Sequence, residues 1–195
     1  EQVLVLVPEI SLTPQLLDRF RRRLGVSLTV LHSALADGER ANAWQAARSG
    51  EAQVVVGTRS AVFVPLARPG LIVVDEEHDP SFKQQEGFRY SGRDLAVVRA
   101  AREEVPVVLG TATPSLESLH NARQGRYGHL RLPRRAGEAE LPEITLLDMR
   151  GRAASGGLSE TLLRELEAVA GRGEQALLFL NRRGFAPAVL CPSCG

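Results

Sequence analysis

The chain predicts an α/β fold built on a doubly wound parallel sheet, and two observations carry that expectation. Five short Val/Leu-rich runs, at residues 3–7, 28–31, 54–56, 71–74 and 105–109, read as strands covered on both faces, because they are apolar throughout rather than alternating. Between them, residues 14–24, 37–49, 92–104 and 115–124 carry helical patterns. Strand and helix therefore alternate, as a parallel sheet with crossover connections requires.

Local signals mark the ends of these elements. Thr13-Pro14 places a capping hydroxyl before a proline at the first helical position, while Gly25 and Gly50 follow helices where left-handed backbone is needed. After Tyr127 the character changes. Residues 131–142 are basic and contain proline, and 150–157 are rich in Gly, Ala and Ser, so 131–157 reads as a connector with one short strand at 144–147. A second unit is expected from 158. Leu162, Leu163, Leu166 and Val169 give 159–170 a helical period, and 176–180 reads as another buried strand. A helix and a strand bury too little apolar surface to close a domain, so the chain reads as a fragment.

Composition narrows the class. The 195 residues are 44% hydrophobic and 24% charged, ordinary values for a globular protein. With 24 Lys+Arg against 23 Asp+Glu, any surface for nucleic acid must be local rather than global. No apolar run approaches the roughly 20 residues needed to span a bilayer, and the amino terminus has no leader pattern, so a cytoplasmic location and no membrane partner are expected. The two cysteines, Cys191 and Cys194, argue against a disulfide scaffold. Their spacing fits half of a tetrahedral zinc site or a redox pair, although the latter is expected to open a helix.

The chemistry concentrates at Leu71-Ile72-Val73-Val74-Asp75-Glu76-Glu77-His78-Asp79, an apolar strand running into acids and a histidine. This is the layout of a Walker B site, in which a buried strand delivers one acid to Mg²⁺ and the next to an attacking water. The acids alone fit a solvated turn equally well. Three more loops leave the same predicted sheet edge: Pro8-Glu9 through Gln15, Gly57-Thr58-Arg59-Ser60, and Gly110-Thr111-Ala112-Thr113-Pro114. Ligands bind at that edge of open α/β sheets. Small hydroxyls there suit successive phosphates of one strand, and they also suit plain helix caps. The loop 79–90 sets Phe82, Phe88 and Tyr90 among Lys83 and Arg89, with Arg93 just beyond. That mixture suits stacking on unpaired bases, unless two of the aromatics fold into the core.

In order and spacing, these four loops resemble motifs Ia, Ib, II and III of superfamily 2 helicases. The loop 79–90, with its Lys83-Gln84-Gln85-Glu86-Gly87, resembles the replication-restart members of that superfamily, as do the segments 179–187 and 191–195. The resemblance covers essentially the whole chain. It implies the first RecA-like lobe of a P-loop NTPase helicase at 1–130, incomplete because it lacks its Walker A segment. The second RecA-like lobe would begin at 158–190, and a zinc-binding insertion at 191–195. The implied activity is that of an ATP-dependent 3′-to-5′ DNA helicase in restart of stalled forks and primosome assembly. Asp75 would hold Mg²⁺, Glu76 would polarise the water, and His78 with Thr111 and Thr113 would couple nucleotide state to movement. Asp75, Glu76, Thr111 and Thr113 would contact ATP. The strand path would be lined by Pro8, Glu9, Thr58, Arg59, Phe82, Lys83, Phe88, Arg89 and Tyr90, and Arg182 and Arg183 would face the cleft from the second lobe. Cys191 and Cys194 would join further cysteines around Zn²⁺.

Single-stranded and forked DNA, primosome proteins and single-strand-binding protein are the implied partners of a monomer in the bacterial cytoplasm, at the nucleoid. No glycine-rich phosphate loop ending in Gly-Lys-Ser/Thr occurs among these residues, so the chain alone is expected to be inactive. A non-catalytic DNA-binding scaffold, or a different translocase such as a branch-migration or restriction-type motor, remains an alternative.

Overall fold

The computed structural model describes residues 1–133, 142–150, 154–155 and 158–179. The chain divides into two units, Glu1–Arg131 and Leu132–Gly195.

In the first unit, strands β1 (Gln2–Leu6), β2 (Leu28–Leu31), β4 (Pro69–Asp75) and β5 (Val107–Gly110) are followed by helices α1 (Pro14–Leu24), α2 (Asp37–Ser49), α3 (Gly92–Glu103) and α4 (Leu116–Arg123). β3 (Val54–Gly57) instead leads to β4 through the short 3-10 turn Arg59–Phe63, so the expected strict alternation of strand and helix breaks once. All four strand pairings are parallel, and the sheet order is β2-β3-β1-β4-β5. Every strand therefore points its carboxyl end to one edge. From β1 the chain turns toward β2, and from the neighbouring β4 it turns toward β5, so a crevice opens outside the carboxyl ends of these two strands. The expected α/β parallel sheet is thus what the chain forms.

The pleat sends alternate residues to opposite faces. Leu4, Leu6, Val55, Ile72 and Val74 face one core, with Ala43 and Ala47 of α2, Ala96 and Ala100 of α3, and Phe82. Val5, Val7, Val54 and Val56 face the other, covered by Leu16, Leu17 and Phe20 of α1. Alanines on α2 and α3 let those helices lie close to the strands. Thr13, Ser91 and Ser115 cap α1, α3 and α4 by accepting from the amides of Leu16, Asp94 and Ser118. β5 starts two residues later than the apolar run suggested. The Val105 amide closes the preceding helix on Ala100 O at 3.0 Å, and Pro106 has no N–H to give the ladder.

Gln2 is fully buried at the start of β1, and its amide satisfies three backbone groups. Nε2 donates to Ala47 O at 2.9 Å and Ala52 O at 2.6 Å, while Oε1 accepts from Arg68 N at 3.0 Å. One side chain thereby ties the end of α2 and the loop before β4 to the central strand.

In the second unit, Ala154–Ser155 pairs antiparallel with Leu158–Ser159, and Ser159 caps the helix α5 (Glu160–Gly171). Two expectations fail here. Residues 144–147 form no strand, with Ile144 78% and Leu146 91% exposed, and 176–179 are irregular, with Leu177 96% exposed. An apolar run becomes a strand only when a ladder partner satisfies its backbone, and among the described residues this unit offers only the two-residue hairpin. Among the described residues no helix is long and apolar enough to cross a membrane.

Replacing Gln2 with Leu strands three buried backbone groups and should destabilise the first unit by on the order of 3 kcal/mol. Urea unfolding should show a lowered midpoint with an unchanged slope.

Candidate functional site

β4 ends at Asp75, which lies in register with Gly110 at the end of β5. Its carboxylate is exposed on the carboxyl edge, 3.6 Å from where a side chain on residue 110 would begin, so the glycine leaves that flank open. Glu76 follows with φ of +48°, a left-handed backbone in a residue that is not glycine. Such a conformation costs about 1–2 kcal/mol and persists only where its surroundings hold it. Here Asp79 N donates to Glu76 O at 2.8 Å, and Glu77 N to Gly110 O at 3.0 Å. The bend separates three consecutive acids, leaving Asp75 and Glu76 accessible to solvent while Glu77 is buried at 2% exposure.

His78 joins this turn to the loop after β5. Its Nδ1 lies 2.7 Å from Thr111 Oγ1 and its Nε2 3.3 Å from Thr113 Oγ1. The same Nδ1 is 3.5 Å from a Glu76 carboxylate oxygen. Thr111 Oγ1 also accepts from Thr113 N at 3.0 Å, fixing the shape of the loop. The structure thus brings Glu76, His78, Thr111 and Thr113 into one cluster.

Sequence reading assigned no role to Glu77 and placed Arg93 among cations open to a ligand. Both are buried, with Arg93 only 8% exposed. Glu77 accepts from Ser115 N at 2.7 Å, Ser118 Oγ at 2.9 Å, Ser115 Oγ at 3.0 Å and Arg93 Nη1 at 3.1 Å. Burial alone would raise its pKa. The Ser115 amide, the two serine hydroxyls and Arg93 outweigh that effect and hold the carboxyl below its ordinary value. Burial likewise works against the Arg93 charge, and Asp94 and Glu77 overcome it, keeping the guanidinium above its usual range. The available signal was the third acid, surplus to a two-acid site.

A groove of about 440 Å³ runs along the same edge, between the loops after β1, β2 and β3 and the loop 84–90; Glu9, Thr58, Arg59, Ser60, Phe88 and Tyr90 are among its lining residues. The aromatic loop is pinched at its base by a bridge between Lys83 and Ser91, and Gln84 N donates to Tyr90 O at 2.8 Å. Tyr90 meets Phe63 edge-on at 5.1 Å and Phe88 at 6.1 Å between centroids. Phe88 is 79% exposed, and Lys83 and Arg89 are exposed beside it. Arg59 spends its guanidinium on the loop, donating from Nη1 to Ser81 O at 2.8 Å and Lys83 O at 3.3 Å, with its charge 6.0 Å from the Tyr90 ring. Gly92 fits against it, because a side chain there would lie 3.1 Å from Arg59 Cγ and 3.3 Å from Arg59 O.

Two expected DNA contacts are corrected. Phe82 is 1% exposed and packs in the core beneath β4, so no base can stack on it. Pro8 is also fully buried and shapes the turn after β1 rather than a wall of the groove. Arg182, Arg183, Cys191 and Cys194 lie outside the described residues. Among the described residues no group of three or more His, Cys, Asp or Glu is placed to hold a metal ion by itself.

The family model for DEAD/DEAH box helicases matches residues 1–122. Over its whole length the chain is 50% identical to the replication restart protein PriA of Haemophilus influenzae, covering 27% of that protein. It is 44% identical to that of Bacillus subtilis and 46% to that of Synechocystis, covering 25% and 24% of them. The chain thus spans about a quarter of the length of these relatives. Likeness to solved structures is weaker: RecG bound to a three-way DNA junction matches 64% of this chain and 16% of its own, at 22% identity and a TM-score of 0.43.

Because Glu77 has a depressed pKa, its contribution to stability is complete above the ordinary value of 4.5 and is lost as pH falls through its lower folded value. Glu77→Gln should be less stable than wild type near neutral pH, and the gap should narrow as pH falls below 4.5. Denaturant unfolding across that range measures it; a constant gap contradicts the assignment.

Proposed function

We propose a function from one premise, that this chain belongs to the DEAD/DEAH box helicase family. The chain forms the acid-bearing and strand-contacting part of an ATP-dependent 3′-to-5′ DNA helicase that restarts stalled replication forks. The observation that carries this reading is the continuity of residues 75–90: the turn holding Asp75 and Glu76 runs directly into the aromatic loop, and His78 ties that turn to Thr111 and Thr113.

The donor set fits a nucleotide-bound Mg²⁺. A single exposed carboxylate at a strand's carboxyl end is what such an ion takes from a protein when phosphates and waters complete its shell. Asp75 would hold it, and the ion would supply neutralisation of developing phosphate charge. Glu76 orients the attacking water and accepts its proton. The His78 ring, held between two threonine hydroxyls, aligns Glu76 and carries the position of the 111–113 loop to it. In the groove Phe88 and Tyr90 offer faces to unpaired bases, and Lys83 and Arg89 meet phosphates. Glu9, Thr58 and Ser60 form the opposite wall, while Arg59 braces the aromatic loop.

The RecA-like first lobe would comprise 1–130 and a connector 131–157, with a second lobe beginning at 158–190. Arg182 and Arg183 belong in this reading to the cleft face of that second lobe, and Cys191 and Cys194 to a zinc site completed by further thiolates. The replication-restart name shared by the relatives supports DNA as a partner. In this reading the resemblance adds forked and single-stranded DNA, primosome proteins and single-strand-binding protein, with a monomeric protein at the bacterial nucleoid. These 195 residues contain no Gly-Lys-Ser/Thr phosphate loop, so hydrolysis is assigned to the protein that includes this chain rather than to the chain alone.

In that intact protein, Glu76→Gln should lower kcat for ATP hydrolysis by at least about 100-fold while DNA affinity persists. Alanine at both Phe88 and Tyr90 should abolish DNA stimulation and leave DNA-free turnover within about twofold. Steady-state ATPase assays with and without an oligonucleotide measure both, and unaltered stimulation in the double variant rejects the reading.

A further inference from the structure

We propose that Glu77 and Arg93 are positioning residues, a buried hub through which occupancy of the aromatic loop sets the placement of Glu76; the proposal rests on the helicase reading above. Three segments meet on one carboxylate. Glu77 belongs to the turn after β4. Arg93 lies in the first turn of α3, two residues beyond Ser91, which closes the base of the aromatic loop on Lys83. Ser115 and Ser118 open α4, directly after the 111–113 loop. Arg93 Nη1 reaches both Glu77, at 3.1 Å, and Ser115 Oγ, at 2.8 Å, while its Nε is fixed by Asp94 at 2.8 Å. The Glu77 side chain is 1% exposed and that of Arg93 10%.

A buried ion pair adds little stability over well-packed apolar side chains, so stability alone is a weak reason for charges here. A hub of directional bonds provides something apolar packing does not: discrete partners that move together. Glu77 is covalently next to Glu76, whose left-handed backbone is already strained, and next to His78. A displacement of the hub that reaches the Glu77 backbone turns the peptide it shares with the water-orienting acid. A cavity of about 150 Å³ beside the hub, bordered by His78, Lys83, Ser91 and Glu117, gives the side chains room to shift.

The test uses the intact protein and three readouts: ATP turnover without DNA, turnover with saturating single strand, and oligonucleotide Kd. Glu77→Gln and Arg93→Lys should cut the ratio of stimulated to DNA-free turnover by about tenfold, with DNA-free turnover and Kd each within about twofold of wild type. Ser118→Ala, which removes one bond to the hub, should cut the ratio about threefold, and Ser118→Thr, which keeps the hydroxyl, should restore it. If the two charge variants do not fold, the Ser118 pair decides. Unchanged ratios, or stimulated and DNA-free rates falling together, overturn the hub in favour of a purely structural role. Absence of stimulation in the wild type overturns the helicase reading itself, and this proposal with it.

Discussion

Five strands running the same way must all leave the sheet at the same edge, and the arrangement of this protein depends on that constraint. Because each pairing is parallel, the loops after β1, β3, β4 and β5 are neighbours in space although they are scattered through the first unit's sequence. The crossovers that make this possible cover both faces, which is why the strands are apolar throughout. Chemistry is thereby confined to connections: a strand interior has no place for an acid, but its carboxyl end does. Asp75 sits at the last position of β4 for that reason.

Much of the fold was legible because it rests on local rules. Buried parallel strands are apolar runs, and helices with Thr13, Ser91 or Ser115 as caps announce their own starts. The runs at 144–147 and 176–179 misled because composition records that a segment can be buried, not that a partner strand exists to pair with it. The site divides in the same way. Asp75, Glu76 and His78 could be picked out by their order after a strand, and the Thr111 and Thr113 loop by its place on the edge. Phe82 and Phe88 could not be told apart, since both are aromatics in one loop. The three-residue turn Pro80–Phe82 rotates the first into the core, and only the fold shows it.

The acids illustrate how neighbours in sequence acquire different physics. Three adjacent carboxyl-bearing residues begin as equivalents, and one backbone angle at Glu76 sends them to three surroundings: open water, a histidine's side, and a cage of serine hydroxyls and a guanidinium. Backbone strain at that residue is the cost of placing charge on both sides of the sheet edge at once. The buried member is held instead by the starts of α3 and α4.

The contact between Gly92 and Arg59 has a bearing on how the groove can respond to a guest. Backbone and side chain are already so close there that the start of α3 and the loop after β3 form one stiff wall, and Arg59 binds the base of the aromatic loop to it. Such a wall does not part to admit a thicker guest. Adjustment falls instead to Phe88, which stands free at the rim and needs only rotation about two side-chain bonds. Rotamer changes at exposed residues take picoseconds to nanoseconds, whereas loop movements take nanoseconds to microseconds. A groove of this kind can change its lining without first opening, so its response to a guest is set by one side chain and not by its walls.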